Sequence, residues 1–228
     1  MDDLKPDVTL SEAAGCGGMA MDAAACSGKR RGRPRAFDPD AVLETVLELF
    51  WMNGFAATSL DDISDATGVS RPSLAAAFGD KQALYIKAME RYQGQITEQL
   101  DDVLTCDGTC TCLRDIIDRY FDVMIAAYTG ESEHPLGCAF MCTALNEAPQ
   151  HDSILEMLRG TIDGFDRRFE AFFILAREKG FLRADADPKI MTQMISGLTS
   201  NLLVRARAGA GRDDLQKIAR ATTGFLFA

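Results

Sequence analysis

Residues 54–81 read GFAATSLDDISDATGVSRPSLAAAFGDK, and this stretch decides the fold. Ser59 stands where a helix needs its cap, Leu60, Ile63 and Ala66 follow at helical spacing, and Gly68 supplies the flexible position of a tight turn. Ser70 caps a second short helix, with Pro72 in its first turn, Leu74 and Phe78 facing inward, and Gly79 at its end. The stretch therefore spells a short helix, a glycine turn and another short helix. Such a pair buries little by itself, so it needs the helix before it. That helix is capped by Asp38, started by Pro39 and ended by Gly54, and its Val42, Val46, Leu49 and Phe50 recur on one face. These four residues, with Leu60, Ile63, Val69, Leu74 and Phe78, are expected to share one small core.

Downstream the pattern changes to long helices. Leu84, Tyr85, Ala88, Ile96, Leu100 and Leu104 carry one helix from Lys81 to Cys106, and Leu113, Ile116, Ile117, Phe121, Met124 and Tyr128 carry the next. Another starts near Cys138 and ends before Pro149. Ile154, Leu158, Ile162, Phe165, Phe169, Phe172 and Ala176 then form a long amphipathic stripe ending at Gly180. Asp187-Pro188 repeats the cap-and-proline start, Met191, Met194, Ile195, Leu198 and Leu202 make a final stripe, and a short helix from about Arg212 closes the chain. No alternating strand pattern and no internal repeat occurs. The class is all-α.

The chain has 228 residues, 47% of them apolar and 25% charged, enough to bury a substantial core. No apolar run approaches the ~18 residues of a membrane-spanning helix, and the acidic N-terminus lacks a secretory pattern, so a cytoplasmic location is expected. Seven cysteines, an odd number in a chain of this size, point to free thiols. Two histidines leave little for metal or acid–base chemistry, and no cofactor is implied. Net charge is −10, which by itself argues against a nucleic-acid partner. The distribution argues the other way: residues 1–28 carry −4, residues 29–91 balance at zero, and residues 92–228 carry −6. Five of the nine cations in the balanced segment crowd into Lys29, Arg30, Arg31, Arg33 and Arg35, a local basic arm.

Gly54-Phe55, Thr58-Ser59-Leu60, Ile63, Gly68-Val69-Ser70, Ser73-Leu74, Phe78-Gly79 and Lys81 with Leu84 recur in order over about 50 positions, far more than a lone helix-turn-helix periodicity supplies. On these residues the segment Phe37–Tyr92 resembles the DNA-binding domain of the TetR/AcrR family of transcriptional regulators. The resemblance implies a three-helix helix-turn-helix domain at residues 37–80 and a helical effector-binding and dimerisation domain at residues 81–228. Ahead of them, the Ala-, Gly-, Ser- and Asp-rich residues 1–28 are expected to be a disordered extension, followed by the arm at residues 29–36. The resemblance further implies a homodimeric regulator, a repressor released from a palindromic double-stranded DNA operator by a small-molecule effector.

On that resemblance the reading helix is Ser70 to Ala77, with Arg71 reaching a guanine edge or a phosphate and Ser73 a base or phosphate oxygen. Thr58 and Lys81 look like phosphate positioners, and Ser59 and Ser70 belong to the same DNA-binding set. Relatives usually carry an aromatic after Ser73-Leu74, where this chain has Ala75, Ala76 and Ala77. Such a bare helix shifts the attraction to the arm. Its Arg31-Gly32-Arg33-Pro34-Arg35 resembles an AT-hook core that lays Arg31, Arg33 and Arg35 in an A·T-rich minor groove. Phe165, Phe169, Phe172, Met194, Leu198 and Leu202 are expected at a four-helix dimer interface. Phe121, Met124, Tyr128, Phe140 and Met141 are expected around an apolar ligand pocket. Cys106, Cys110 and Cys112, close together around Gly108, suggest a thiol- or metal-responsive variant of the same regulator. A dimeric ligand-binding module without DNA binding, or a thiol oxidoreductase, are the alternatives from other classes, the latter without a Cys-x-x-Cys motif to support it.

Overall fold

The computed structural model describes residues 37–105, 112–129 and 137–227, and every regular element among them is helical. Helices α1 (Pro39–Asn53), α2 (Leu60–Thr67) and α3 (Arg71–Phe78) form a head, and α4 (Lys81–Leu104) leads out of it. The body adds α5 (Leu113–Tyr128) and a run that opens with a π turn (Phe140–Ala144), passes through α6 (Leu145–Glu147) and ends in a 3-10 turn (Ala148–Gln150). Helices α7 (Asp152–Glu178), α8 (Pro188–Arg207) and α9 (Arg212–Leu226) complete it.

Local chemistry sets the head's boundaries. Asp38 accepts from the Asp40 N–H at 2.9 Å to start α1, and Gly54 ends it with φ of 85°, a value that disfavours a side chain. Ser59 and Asp62 form a reciprocal capping box on α2: Asp62 N–H donates to Ser59 Oγ at 3.1 Å and Ser59 N–H to Asp62 Oδ2 at 2.7 Å. Gly68, with φ of 67°, makes the left-handed turn into α3. Ser70 holds the N-cap position of α3, but its hydroxyl does not cap. It meets Ser73 Oγ at 2.9 Å instead.

Head and body share one continuous core. The first turns of α4 lie along α1 and bury Leu84, Tyr85 and Ala88. The Tyr85 ring stands 5.1 Å from both Phe50 and Phe55, and its hydroxyl meets Thr143 Oγ1 at 2.7 Å in the body. In the body α7 packs on α8, α5 on α9, and α4 on both α5 and α7.

The α7 stripe runs in a different phase from the one the apolar residues suggest. Its buried positions are Ile154, Leu158, Thr161, Gly164, Phe169, Phe173 and Ala176, so Thr161 takes the inward place expected of Ile162, and Phe173 that of Phe172. A helix of 3.6 residues per turn drifts against any string of threes and fours, and bulky residues flanking the seam conceal the drift. The dimer-face set divides for this reason. Phe169 and Leu202 are buried within the chain, Phe165, Phe172 and Leu198 are half-buried, and Met194 is exposed. Phe169 and Leu202 are therefore core residues of one protomer.

Candidate nucleic-acid interface

The head turns one face of α3 to solvent. Arg71, Pro72, Ser73, Ala75 and Ala76 are exposed, while Leu74 and Phe78 anchor the helix from below. Arg71 already has a partner: its Nη1 lies 3.2 Å from Asp61 Oδ1 on α2, with the two side chains 56% and 70% exposed. Contacts of this kind contribute ~0–1 kcal/mol, so a phosphate or a base edge competes for Arg71 at small cost.

Thr58 corrects the expectation of a phosphate contact. It is fully buried, and its hydroxyl donates to the Gly54 carbonyl at 2.8 Å, stapling the α1–α2 turn from inside. Lys81 is half-buried and folded back, its Nζ 4.5 Å from the centre of the Phe55 ring and 3.5 Å from the Ala56 carbonyl. Burial pulls its pKa down against the charges of Glu147 and Asp62. Ser59 is exposed but its hydroxyl is committed to Asp62, whose carboxyl is held low by that bond. Arg31, Arg33 and Arg35 lie outside the described residues.

The head by itself is acidic. Residues 37–91 hold four cations and nine carboxylates, a net of −5. Of those cations Arg71 faces Asp61 and Arg91 faces Asp40 at 2.8 Å and Glu44 at 3.8 Å. The five cations of residues 29–35 bring the segment to neutrality, and DNA affinity is dominated by local positive charge.

Below the head lies a cavity of about 310 Å³, walled by α4, α5, α7 and α8, by Phe140 and Met141 of the π turn, and by Trp51 of α1. Met124, Tyr128, Phe140 and Met141 are on its wall. Phe121 is not: it is buried behind, its ring 5.0 Å from that of Tyr120. Tyr120 bonds Thr199 Oγ1 at 3.0 Å, and burial pushes its phenol up to about 12. Tyr92, Tyr128 and Cys138 lie together on the wall, where burial pushes both phenols up and polar neighbours pull the Cys138 thiol the other way. Burial nonetheless pushes the Cys138 thiol up, so it is protonated at neutral pH. Sequence reading missed Trp51, Cys138 and Asp166 as wall residues. Trp51 was readable in principle, because it sits beside Phe50 and off the inward stripe of α1, and its ring reaches Tyr92 at 5.0 Å. Cys106 and Cys110 lie outside the described residues, Cys112 is exposed at the start of α5, and no group of three metal-ligating side chains occurs among the described residues.

The family model of bacterial regulatory proteins of the tetR family matches residues 42–88, the span from α1 through the first turns of α4. The chain carries the tetR-family DNA-binding domain. It is a transcriptional regulator with a helix-turn-helix head. It is 28% identical over 204 residues to the HTH-type transcriptional repressor ComR of Escherichia coli K12, covering 90% of this chain and 96% of ComR. A shorter match to the repressor BdcR of the same organism is 36% identical over 94 residues, 39% of this chain and 48% of BdcR. Among solved structures, a cysteine-substituted form of the TetR family regulator CifR, complexed with 26bp double-strand operator DNA, superimposes with a TM-score of 0.75 at 29% identity. It covers 84% of this chain and 98% of CifR.

Proposed function

We propose that this chain is a homodimeric repressor that binds a two-fold operator through α3 and the basic arm and leaves it when a small molecule fills the cavity. One observation carries the reading: the helix that seats the exposed α3 against the head, α4, runs on to become a wall of the cavity. A ligand there acts on the element that sets the head's position.

Arg71 and Ser73 read or position, and Arg31, Arg33 and Arg35 supply the attraction the acidic head lacks. Lys81 and the exposed N-terminal turns of α2 and α3, at Ser59 and Ser70, lie along the phosphates. Residues 1–28 are an extension, 29–36 the arm and 37–80 the head. Residues 81–228 form the body, with the first turns of α4 completing the head's core. The dimer face is the outer side of α7 and α8, where Ile174, Leu175, Ile190, Met194 and Val204 are exposed beside half-buried Phe172 and Leu198. A two-fold pair built there sets the reading helices one DNA turn apart, ~34 Å. No helix among the described residues is long and apolar enough to cross a membrane, and the reading is of a cytoplasmic protein without catalytic activity.

The test is a mobility shift on the DNA upstream of its own gene. A retarded complex is expected that weakens steeply with salt, and deletion of residues 29–35 should weaken it and flatten the salt dependence. No complex at low ionic strength overturns the proposal.

A further inference from the structure

Among the residues that wall the cavity there is one formal charge, Asp166 on α7, and no lysine, arginine or histidine. The carboxylate is held in place by neutral donors: Ser196 Oγ–H to Oδ1 at 2.9 Å and Gln193 Nε2 to Oδ2 at 2.7 Å. An ionised carboxylate offers about four acceptor positions, so two remain. No cationic nitrogen among the described residues lies within 4.0 Å of it. The nearby Arg168 is turned away, its Nε on Asp101 at 3.0 Å and its Nη1 on the Gly164 carbonyl at 3.1 Å. Asp166 is thus oriented, half-buried and without a cation in contact at the wall of an apolar space.

We propose that the cavity receives a compact organic monocation, a protonated amine with an aromatic or aliphatic body, whose ammonium pairs with Asp166. The proposal rests on reading the cavity as the effector site and names the chemistry of what enters it. An ammonium supplies the missing countercharge and donates to the free acceptor positions. Half-buried Phe165 lies on the same wall, one residue from Asp166, and aromatic rings attract cations. A carboxylate ligand has the opposite fate, because it would be desolvated beside Asp166 with no cation to meet it. The volume, about 310 Å³, holds about ten water-sized groups at about 30 Å³ each. A single-ring alkylamine matches that size.

The experiment uses the full chain without DNA and three probes of one shape: phenylbutylamine, phenylbutanol and phenylbutyrate. Trp51, the chain's one tryptophan, lies on the wall and reports occupancy by fluorescence, with calorimetry as the second readout. The amine should bind about ten- to a hundred-fold tighter than the alcohol, as a charge-assisted contact implies, and the carboxylate weaker than both. Asp166→Asn should remove the amine's advantage while leaving alcohol affinity unchanged. Equal binding of amine and alcohol, or an amine affinity untouched by D166N, overturns the charge assignment and leaves the effector reading standing. Binding of none of the three, by a protein that still retards its upstream DNA, overturns the proposal together with the cavity's role as receptor for this class. The comparison of probes on the unsubstituted protein decides the matter even if D166N does not fold.

Discussion

Replacing Asp61 by asparagine should strengthen DNA binding, and the size of the effect follows from the pair it breaks. Arg71 Nη1 lies 3.2 Å from Asp61 Oδ1, and both side chains are more than half exposed, so the pair contributes ~0–1 kcal/mol to the free protein. Before Arg71 can reach a base or a phosphate that contact must open, and the freed carboxylate stays near the DNA as a repelling charge. Removing it spares both costs, and affinity should rise about two- to ten-fold at low salt, the equivalent of ~0.5–1.4 kcal/mol. Arg71→Ala should lose ~1–3 kcal/mol and relax preference at one operator position if the guanidinium reads a base edge. The decisive measurement is the double-mutant cycle by fluorescence anisotropy at fixed ionic strength. In the Arg71→Ala background only the general charge effect of Asp61→Asn survives, so the gain should shrink. An equal gain in both backgrounds would refute the reasoning, because it would mean that Asp61 does not act through Arg71.

Three further outcomes are expected. Thr58→Val should lower stability by ~1 kcal/mol in urea melts through loss of the buried bond to the Gly54 carbonyl, with little change in the DNA affinity of the folded protein; a selective loss of affinity would restore Thr58 to the interface. Ile190→Asp with Met194→Asp, at positions 57% and 43% exposed, should yield a folded monomer in sedimentation, and a persisting dimer would place the interface elsewhere. All four tyrosines, Tyr85, Tyr92, Tyr120 and Tyr128, are buried with raised pKa, two of them to about 12. A raised phenol stabilises the fold fully below the unfolded pKa near 10 and loses that contribution as pH rises through the folded value. Stability should therefore fall between pH ~10 and ~12 by up to ~5 kcal/mol per pH unit. Phenolate absorbance should appear in one cooperative step with unfolding, and stepwise ionisation of a folded protein would contradict the burial.

The head was legible in the sequence because its boundaries are made by local chemistry. Asp38 and Ser59 cap, Gly54 and Gly68 turn, and each acts within four residues of its partner. The side-chain roles built on that frame were less legible where they depend on neighbours distant in sequence. Nothing near Thr58 in sequence says that its hydroxyl points inward, and the ion pair of Arg71 spans ten residues and a turn. In the body, apolar spacing identifies helices but not which of two adjacent bulky residues faces the core, and here it is Phe173 that is buried and Phe172 that is half-buried. Asp166 was invisible for a related reason: it reads as an ordinary solvated charge until Ser196 and Gln193 of α8 are seen to hold it at the cavity.

The same contacts dictate how a ligand would act on DNA. α4 has 24 residues and so extends ~36 Å, its first turns inside the head and its later turns on the cavity. Arg91 fastens it to Asp40 and Glu44 of α1, and the Trp51 ring rests near Tyr92. A ligand that presses on Ile96 and Leu100 therefore carries α1 along with α4, so the head responds as a unit. A rotation of about 5° about the body end moves the head end by about 3 Å, enough to misplace a reading helix in a groove ~12 Å wide when its two-fold mate moves the opposite way. The ligand achieves this only through its preference for the tilted arrangement: a coupling of ~1–3 kcal/mol lowers operator affinity about 5- to 150-fold. Arg91→Ala should then loosen the link between the two ends by ~1 kcal/mol at most, leaving phenylbutylamine bound as measured by Trp51 fluorescence while its effect on operator affinity shrinks by up to about five-fold. An unchanged effect would show that the signal travels by another contact between head and body, of which the bond from Tyr85 to Thr143 is the next in line.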